Sequence, residues 1–169
     1  MKLYLLPSHA KKAIVAFLFL LTSGVLFGLV YLSTTTGMSP TGTAAHYAGD
    51  PVTKDELDMH ENYAKPLSEM LITTHNHLIG FAYIFALTCG LFYFNSIIEG
   101  PLKGFLLVEP FISVLITFLS LWGIRFVNPA FAVIAIAGGI LTYFSYFLIV
   151  SILVFELVFK KDATQISTI

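Results

Sequence analysis

Four apolar stretches, at about 13–32, 71–95, 104–124 and 129–159, run along this chain almost free of charge. About 20 apolar residues is the length an α-helix needs to cross a hydrocarbon layer of about 30 Å. Inside that layer a segment must satisfy its own backbone N–H and C=O groups, so each stretch is expected to be helical. Composition points the same way, since 57% of the 169 residues are apolar and 11% are charged, against about 25% charged in an ordinary soluble domain. Too few polar residues remain to wet a globule of this size all round. The expected fold is an all-α integral membrane protein, one domain over 1–169, built as an antiparallel bundle of four transmembrane helices with an extramembrane loop at about 33–70.

Charge orients the bundle. Lys2, Lys11, Lys12, Lys103, Lys160 and Lys161 flank one side, which the positive-inside rule makes cytoplasmic together with both termini. The loop carries Asp50, Asp55, Glu56, Asp58, Glu61 and Glu69 against Lys54 and Lys65, and is expected outside, in the periplasm of a bacterial cell. The first apolar run is longer than the apolar part of a secretory signal, and Leu32-Ser33-Thr34-Thr35-Thr36 offers no small-x-small cleavage site.

Several function classes fall away. A net charge of −1 without a basic stripe gives nothing to track phosphates, so no nucleic-acid partner is expected. Cys89 is the one cysteine, which excludes an internal disulfide and leaves a small buried hydrophobe as its ordinary role. No H-E-x-x-H, G-x-S-x-G or glycine-rich phosphate loop occurs, so the chain is not expected to act as an independent enzyme. For packing, Gly24 and Gly28 form a G-x-x-x-G step and Gly138-Gly139 marks a close approach. Short connections at 98–103 and 125–128 make the last three helices sequential neighbours. Pro110 frees the carbonyl of Leu106 and is expected to kink its helix. Glu109 is either a proton relay or structural, and Glu156 is placed to pair with Lys160 at i,i+4.

The richest chemistry lies in Thr73-Thr74-His75-Asn76-His77, five polar residues carried into the loop end of the second span. Ionisable groups at membrane depth default to a functional hypothesis, and neutral imidazole ligates haem iron, copper or zinc. Two residues apart on a helix point about 200° apart, so His75 and His77 cannot both reach one ion. Candidate metal ligands are therefore His46, His60, His75 and His77, with the loop folded over the bundle to gather them. The alternative is an acidic, solvated loop bearing two surface histidines. His75, His77, Arg125 and Trp122 are the candidate cofactor-binding residues, Arg125 facing a haem propionate, a substrate acid or a lipid phosphate, and Trp122 serving otherwise as an interface anchor.

Gly37-Met38-Ser39-Pro40-Thr41-Gly42, His46-Tyr47-Ala48-Gly49 and the Thr74-His75-Asn76-His77 step resemble a group of uncharacterised small bacterial membrane proteins in which a G-x-[ST]-P-x-G turn and a Y-x-G element precede a T-H-x-H helix start. The resemblance covers about forty residues and the four-span layout. It implies a bacterial inner-membrane protein with a feature built from the loop and the T-H-x-H step, and brings no activity with it. In the turn itself, Pro40 fixes φ while Gly37 and Gly42 permit bends at both ends.

Together these readings predict a membrane protein that binds haem b or a transition metal (copper, zinc or iron) through histidines at the outer face, accessory to respiratory electron transfer, with a larger membrane complex, a homo-oligomer or a quinone as partner. The alternative is a non-catalytic structural or assembly subunit of a larger membrane complex, in which the histidines only hydrogen-bond the loop.

Overall fold

The computed structural model describes residues 2–50 and 63–160. A short 3-10 turn, Leu3–Leu5, leads into α1 (Ser8–Thr36), α2 (Pro40–Ala48), α3 (Leu67–Tyr93), α4 (Gly100–Phe126) and α5 (Phe131–Phe159). No strand occurs among the described residues. Helices α1, α3, α4 and α5 are each long and apolar enough to cross a membrane, which makes this a four-span helical membrane protein. Four passes bring both termini to one end of the bundle, here the terminal end; α2 lies at the opposite, loop end.

The first three spans extend past the apolar runs because flanking polar residues continue the helix. On α1, Thr34 and Thr35 donate their hydroxyls to the Tyr31 carbonyl (2.9 Å each) and Thr36 donates to the Leu32 carbonyl (2.8 Å). Such back-bonding satisfies a hydroxyl without water. The helix then stops at Gly37, whose φ of 56° is the left-handed conformation a helix C-terminus favours. Likewise α3 begins behind Pro66, four residues before Leu71.

Helix α2 replaces the expected turn. Ser39 caps it, accepting from the Gly42 amide at 3.0 Å, and Pro40 occupies the first turn where its missing N–H costs nothing. Gly37 and Met38, with φ of 56° and 50°, make the corner. Gly42 serves no bend; a Cβ there would lie 2.0 Å from the Thr36 carbonyl oxygen, so glycine lets α2 begin against the end of α1.

The core is the α4–α5 hairpin. α3 packs on both of its helices, α2 lies across α4 and α5, and α1 leans on α5. Burial follows that order: 44% of the most apolar window of α4 is buried inside the protein but only 6% of that of α1. The α4–α5 approach rests on Gly138, where a Cβ would stand 2.5 Å from Thr117 Oγ1 and 3.2 Å from the Ser113 carbonyl oxygen. Gly139 has open space, and so do Gly24 and Gly28. The G-x-x-x-G step of α1 therefore packs against nothing within the described chain, and of the glycine pair only Gly138 is an interface residue. Where α1 meets the bundle, Thr22 and Tyr146 share a hydroxyl–hydroxyl bond of 3.0 Å, and the Tyr146 ring meets Phe85 of α3 edge-on.

Two further expectations are refined. The Leu106 carbonyl freed by Pro110 accepts from Cys89 Sγ at 3.8 Å, so the lone cysteine of α3 also supplies a weak donor to an orphaned acceptor. Glu156 does not pair directly with Lys160. Its two oxygens accept from the Ser96 amide (2.9 Å) and hydroxyl (2.7 Å), while Lys160 Nζ donates to the Ser96 carbonyl oxygen (3.1 Å) and reaches its Oγ (2.9 Å). A fully buried carboxylate thereby locks the α3–α4 connection to the end of α5.

Overpacking a tight interface costs about 1–3 kcal/mol. Gly138→Val is expected to lose that much, whereas Gly24→Ala and Gly28→Ala change stability by no more than the helix-propensity difference of about 1 kcal/mol. Reversible unfolding in mixed detergent micelles, followed by far-ultraviolet circular dichroism, distinguishes the two.

Candidate functional site at the loop end

At the loop end, α2 and the segment entering α3 are fastened to the end of α4. The Lys65 amide donates to the Tyr47 carbonyl oxygen (3.1 Å), tying the segment before α3 to the last turn of α2. Arg125 Nε donates to the Lys65 carbonyl oxygen (2.7 Å), and its guanidinium lies 5.0 Å from the Phe126 ring centroid. Trp122 Nε1 donates to Thr74 Oγ1 at 2.9 Å and stacks on Phe126. Lys65 pairs with Glu69 one turn on. Trp122 and Arg125, expected to face a cofactor, thus spend an indole N–H and the Nε–H on the protein's own backbone and α3.

His46 sits in the last turn of α2, half-buried, with its ring edge-on to Tyr47 at 4.9 Å. Burial holds its pKa below the ordinary imidazole value of 6.5, the nearby Lys65 ammonium adds to that, and Glu69 partly offsets it. Burial likewise pushes the Tyr47 phenol up to about 12, with Tyr31 and Glu69 contributing. Both side chains are therefore neutral at physiological pH, one able to offer a nitrogen lone pair.

His75, Asn76 and His77 are all exposed on α3. Because α3 begins at Leu67, His75 and His77 lie about 12 and 15 Å along the helix from its start. His77 turns toward α4: its ring centroid is 5.5 Å from that of Phe118 and 6.4 Å from that of Phe81. Its Nδ1 lies 2.8 Å from the Thr73 carbonyl oxygen. A carbonyl only accepts, so Nδ1 carries the hydrogen and Nε2 of the neutral ring keeps its lone pair. His75 makes no such contact on that side, as two residues of one helix must.

The loop-end elements do fold down over the bundle, as α2 shows, and bring His46 beside Lys65 and Glu69. Among the described residues no three His, Cys, Asp or Glu side chains form a group that could hold a metal ion. His60, together with Asp55, Glu56, Asp58 and Glu61, lies outside the described residues. What sequence reasoning missed is the part played by the backbone carbonyls of Thr73 and Tyr47, which accept from His77 and from the Lys65 amide and which no side-chain pattern reveals.

Removing a hydrogen bond that fastens buried backbone costs about 1–2 kcal/mol. Arg125→Gln is accordingly expected to speed limited proteolysis between Gly49 and Pro66 while leaving the four spans helical. For His46 the folded pKa is depressed, so the native form resists protonation. Its stabilisation is full above the unfolded value of 6.5 and is lost as pH falls through and below it. Thermal unfolding compared at pH 7.5 and 5 is expected to show a loss that His46→Gln diminishes.

No curated protein and no solved structure matches the chain. A family match covers residues 37–164, about three quarters of the sequence, from the Gly37 corner through α5. That span holds α2, α3, α4 and α5, the part of the protein that packs tightly, and leaves α1 outside it. By this match the chain belongs to the Aq_1264_TM family of transmembrane helical domains.

Proposed function

We propose that the protein binds haem b or a transition metal in a bacterial inner membrane, with His77 as a ligand through Nε2, and serves as an accessory to respiratory electron transfer. One observation carries this reading: the Nδ1–H bond of His77 to the Thr73 carbonyl. Ligating histidines characteristically donate their second ring nitrogen to a carbonyl, which fixes the tautomer and ring orientation and raises the basicity of the ligating nitrogen. Phe118 and Phe81 brace the same ring, and among the described residues none covers its surface, although it stands on a helix long and apolar enough to cross a membrane. The second donor comes from outside α3, because His75 points to the other side. His46, neutral and at the loop end, His60, or a histidine of a partner subunit would complete bis-imidazole ligation. The remaining guanidinium N–H groups of Arg125 suit a propionate or a phosphate oxygen.

A second reading has its own support. The exposed faces of α1 (Leu20, Phe27, Tyr31) and of α3 (His75, Asn76) fit a non-catalytic subunit whose polar side chains are met by another chain. The orientation that favours either reading puts the lysine-rich terminal end in the cytoplasm.

Protein purified in mild detergent is expected to show a Soret band with reduced α and β bands after dithionite, or, if colourless, stoichiometric copper, zinc or iron by elemental analysis. His77→Ala should abolish that signal. Full occupancy in His77→Ala refutes the ligand assignment, and an uncoloured, metal-free wild type leaves the subunit reading, to be pursued through copurifying chains.

A further inference from the structure

At the other end of the bundle, in the terminal half of the α4–α5 interface, lies a second polar site. Glu109 is 6% exposed. Ser145 donates its hydroxyl to Glu109 Oε2, but Oε1 has no hydrogen-bond partner among the described residues. The neighbouring hydroxyls are already committed. Thr142 Oγ1 donates to the Gly138 carbonyl oxygen (2.9 Å), Ser113 Oγ lies 2.8 Å from Thr142 Oγ1 and 3.2 Å from the Pro110 carbonyl oxygen, and Thr117 donates to the Ser113 carbonyl oxygen (2.8 Å). An unsatisfied buried carboxyl oxygen is costly in any protein and more so at membrane depth.

Beside it a cavity of about 450 Å³ opens between α4 and α5. Its exposed lining is almost wholly apolar, with Phe105, Ile112, Ile134 and Leu141 among its walls; Glu109 and Ser113 border it but turn almost no polar surface toward it. Oε1 itself is fully buried, but the terminal torsion of a glutamate is soft; a ligand in the cavity would be reached only by turning that torsion, which moves both oxygens together and loosens the Ser145 bond. The ligand chemistry follows from the carboxyl group. An ionised oxygen needs a donor, a protonated one an acceptor, and a hydroxyl supplies both. Depth restricts the ligand further. α4 is 27 residues long, and Glu109 stands nine residues from its start, so with the helix centred on a 30 Å core the carboxyl lies about 8 Å inside the hydrocarbon boundary. A charged headgroup, or a glycerolipid tethered at the interface, would have to sink that far. A neutral ring-sized head free to move within the core would not.

We infer that the cavity between α4 and α5 binds a lipid-soluble hydroquinone, with one ring hydroxyl hydrogen-bonded to Glu109 and the rest of the molecule lodged against the apolar wall. The site is separate from His77, which lies toward the loop end, so the two assignments stand or fall independently.

The test uses the full chain in mild detergent, kept anaerobic, and thermal unfolding with a decyl-chain hydroquinone, with its dimethyl ether and with dioleoylglycerol. The hydroquinone is expected to raise Tm by several degrees, the ether and the diacylglycerol by much less, and Glu109→Leu is expected to abolish the hydroquinone shift. Should Glu109→Leu fail to fold, Ala137→Phe, which fills the cavity from the α5 side without touching the carboxyl, is expected to abolish it instead. An equal shift from the ether or from dioleoylglycerol, a shift retained in Ala137→Phe, or no shift in the wild type overturns the inference. A stabilisation that depends on protein concentration and ignores the hydroquinone likewise overturns it, and assigns the Glu109 face to contact between copies of the chain.

Discussion

In lipid, helices gain nothing from the hydrophobic effect by meeting one another, so a membrane bundle depends on how closely backbones approach and on the polar bonds that approach permits. Here both conditions meet at the α4–α5 contact. Gly138 lets Thr117 and the Ser113 backbone come within reach, and Ser113–Thr142 and Ser145–Glu109 bonds cross the same interface. Everything else is arranged on this hairpin: α3 packs on both its helices, and α2 lies across their loop ends. The interhelical hydrogen bonds are individually modest, worth about 0.6–2 kcal/mol in such settings, but they fix the rotation of each helix, which apolar packing alone leaves loose.

Two polar locks secure the ends of this core. At the terminal end, buried Glu156 accepts twice from Ser96, which in turn accepts from Lys160. At the loop end, Arg125 and Lys65 connect α4 to the α2 segment through backbone carbonyls. Arg125, Glu156 and Lys160, near the span ends, thus bond chiefly to the backbone and hydroxyl groups of connections, while Lys65 and Glu69 pair with each other. Helix α1 escapes these locks. It touches α5, shares one hydroxyl bond with Tyr146 and leaves most of its apolar surface outside the protein. The family match begins at Gly37, where α1 ends, in keeping with a core domain of α2 to α5 to which α1 is joined.

The two chemical features occupy opposite halves of the membrane. Exposed imidazole on α3 is held in a defined tautomer by its own helix, a local effect of i−4 spacing. Glu109 is held by α5, a partner 36 residues away, and its second oxygen is left over by the way the hydroxyls around it are already spent. The first feature faces outward from the bundle and needs a partner to become a site; the second adjoins a cavity the bundle itself makes.

By itself the sequence determined that four helices cross a membrane, because lipid imposes a length and a composition that no local detail can evade. The start of α2 was legible too, in Ser39 followed by Pro40, though the glycines around it read as a turn. Only the tertiary structure decided which small residues are contacts: Gly138 is buried against α4, whereas Gly24 and Gly28, a stronger pattern, have open space. A spacing motif states that backbones can approach, not which surface arrives. Likewise Glu156 forgoes Lys160 for Ser96, and Arg125 binds the backbone of Lys65, because partners 60 residues distant are set by packing and leave no periodicity to read.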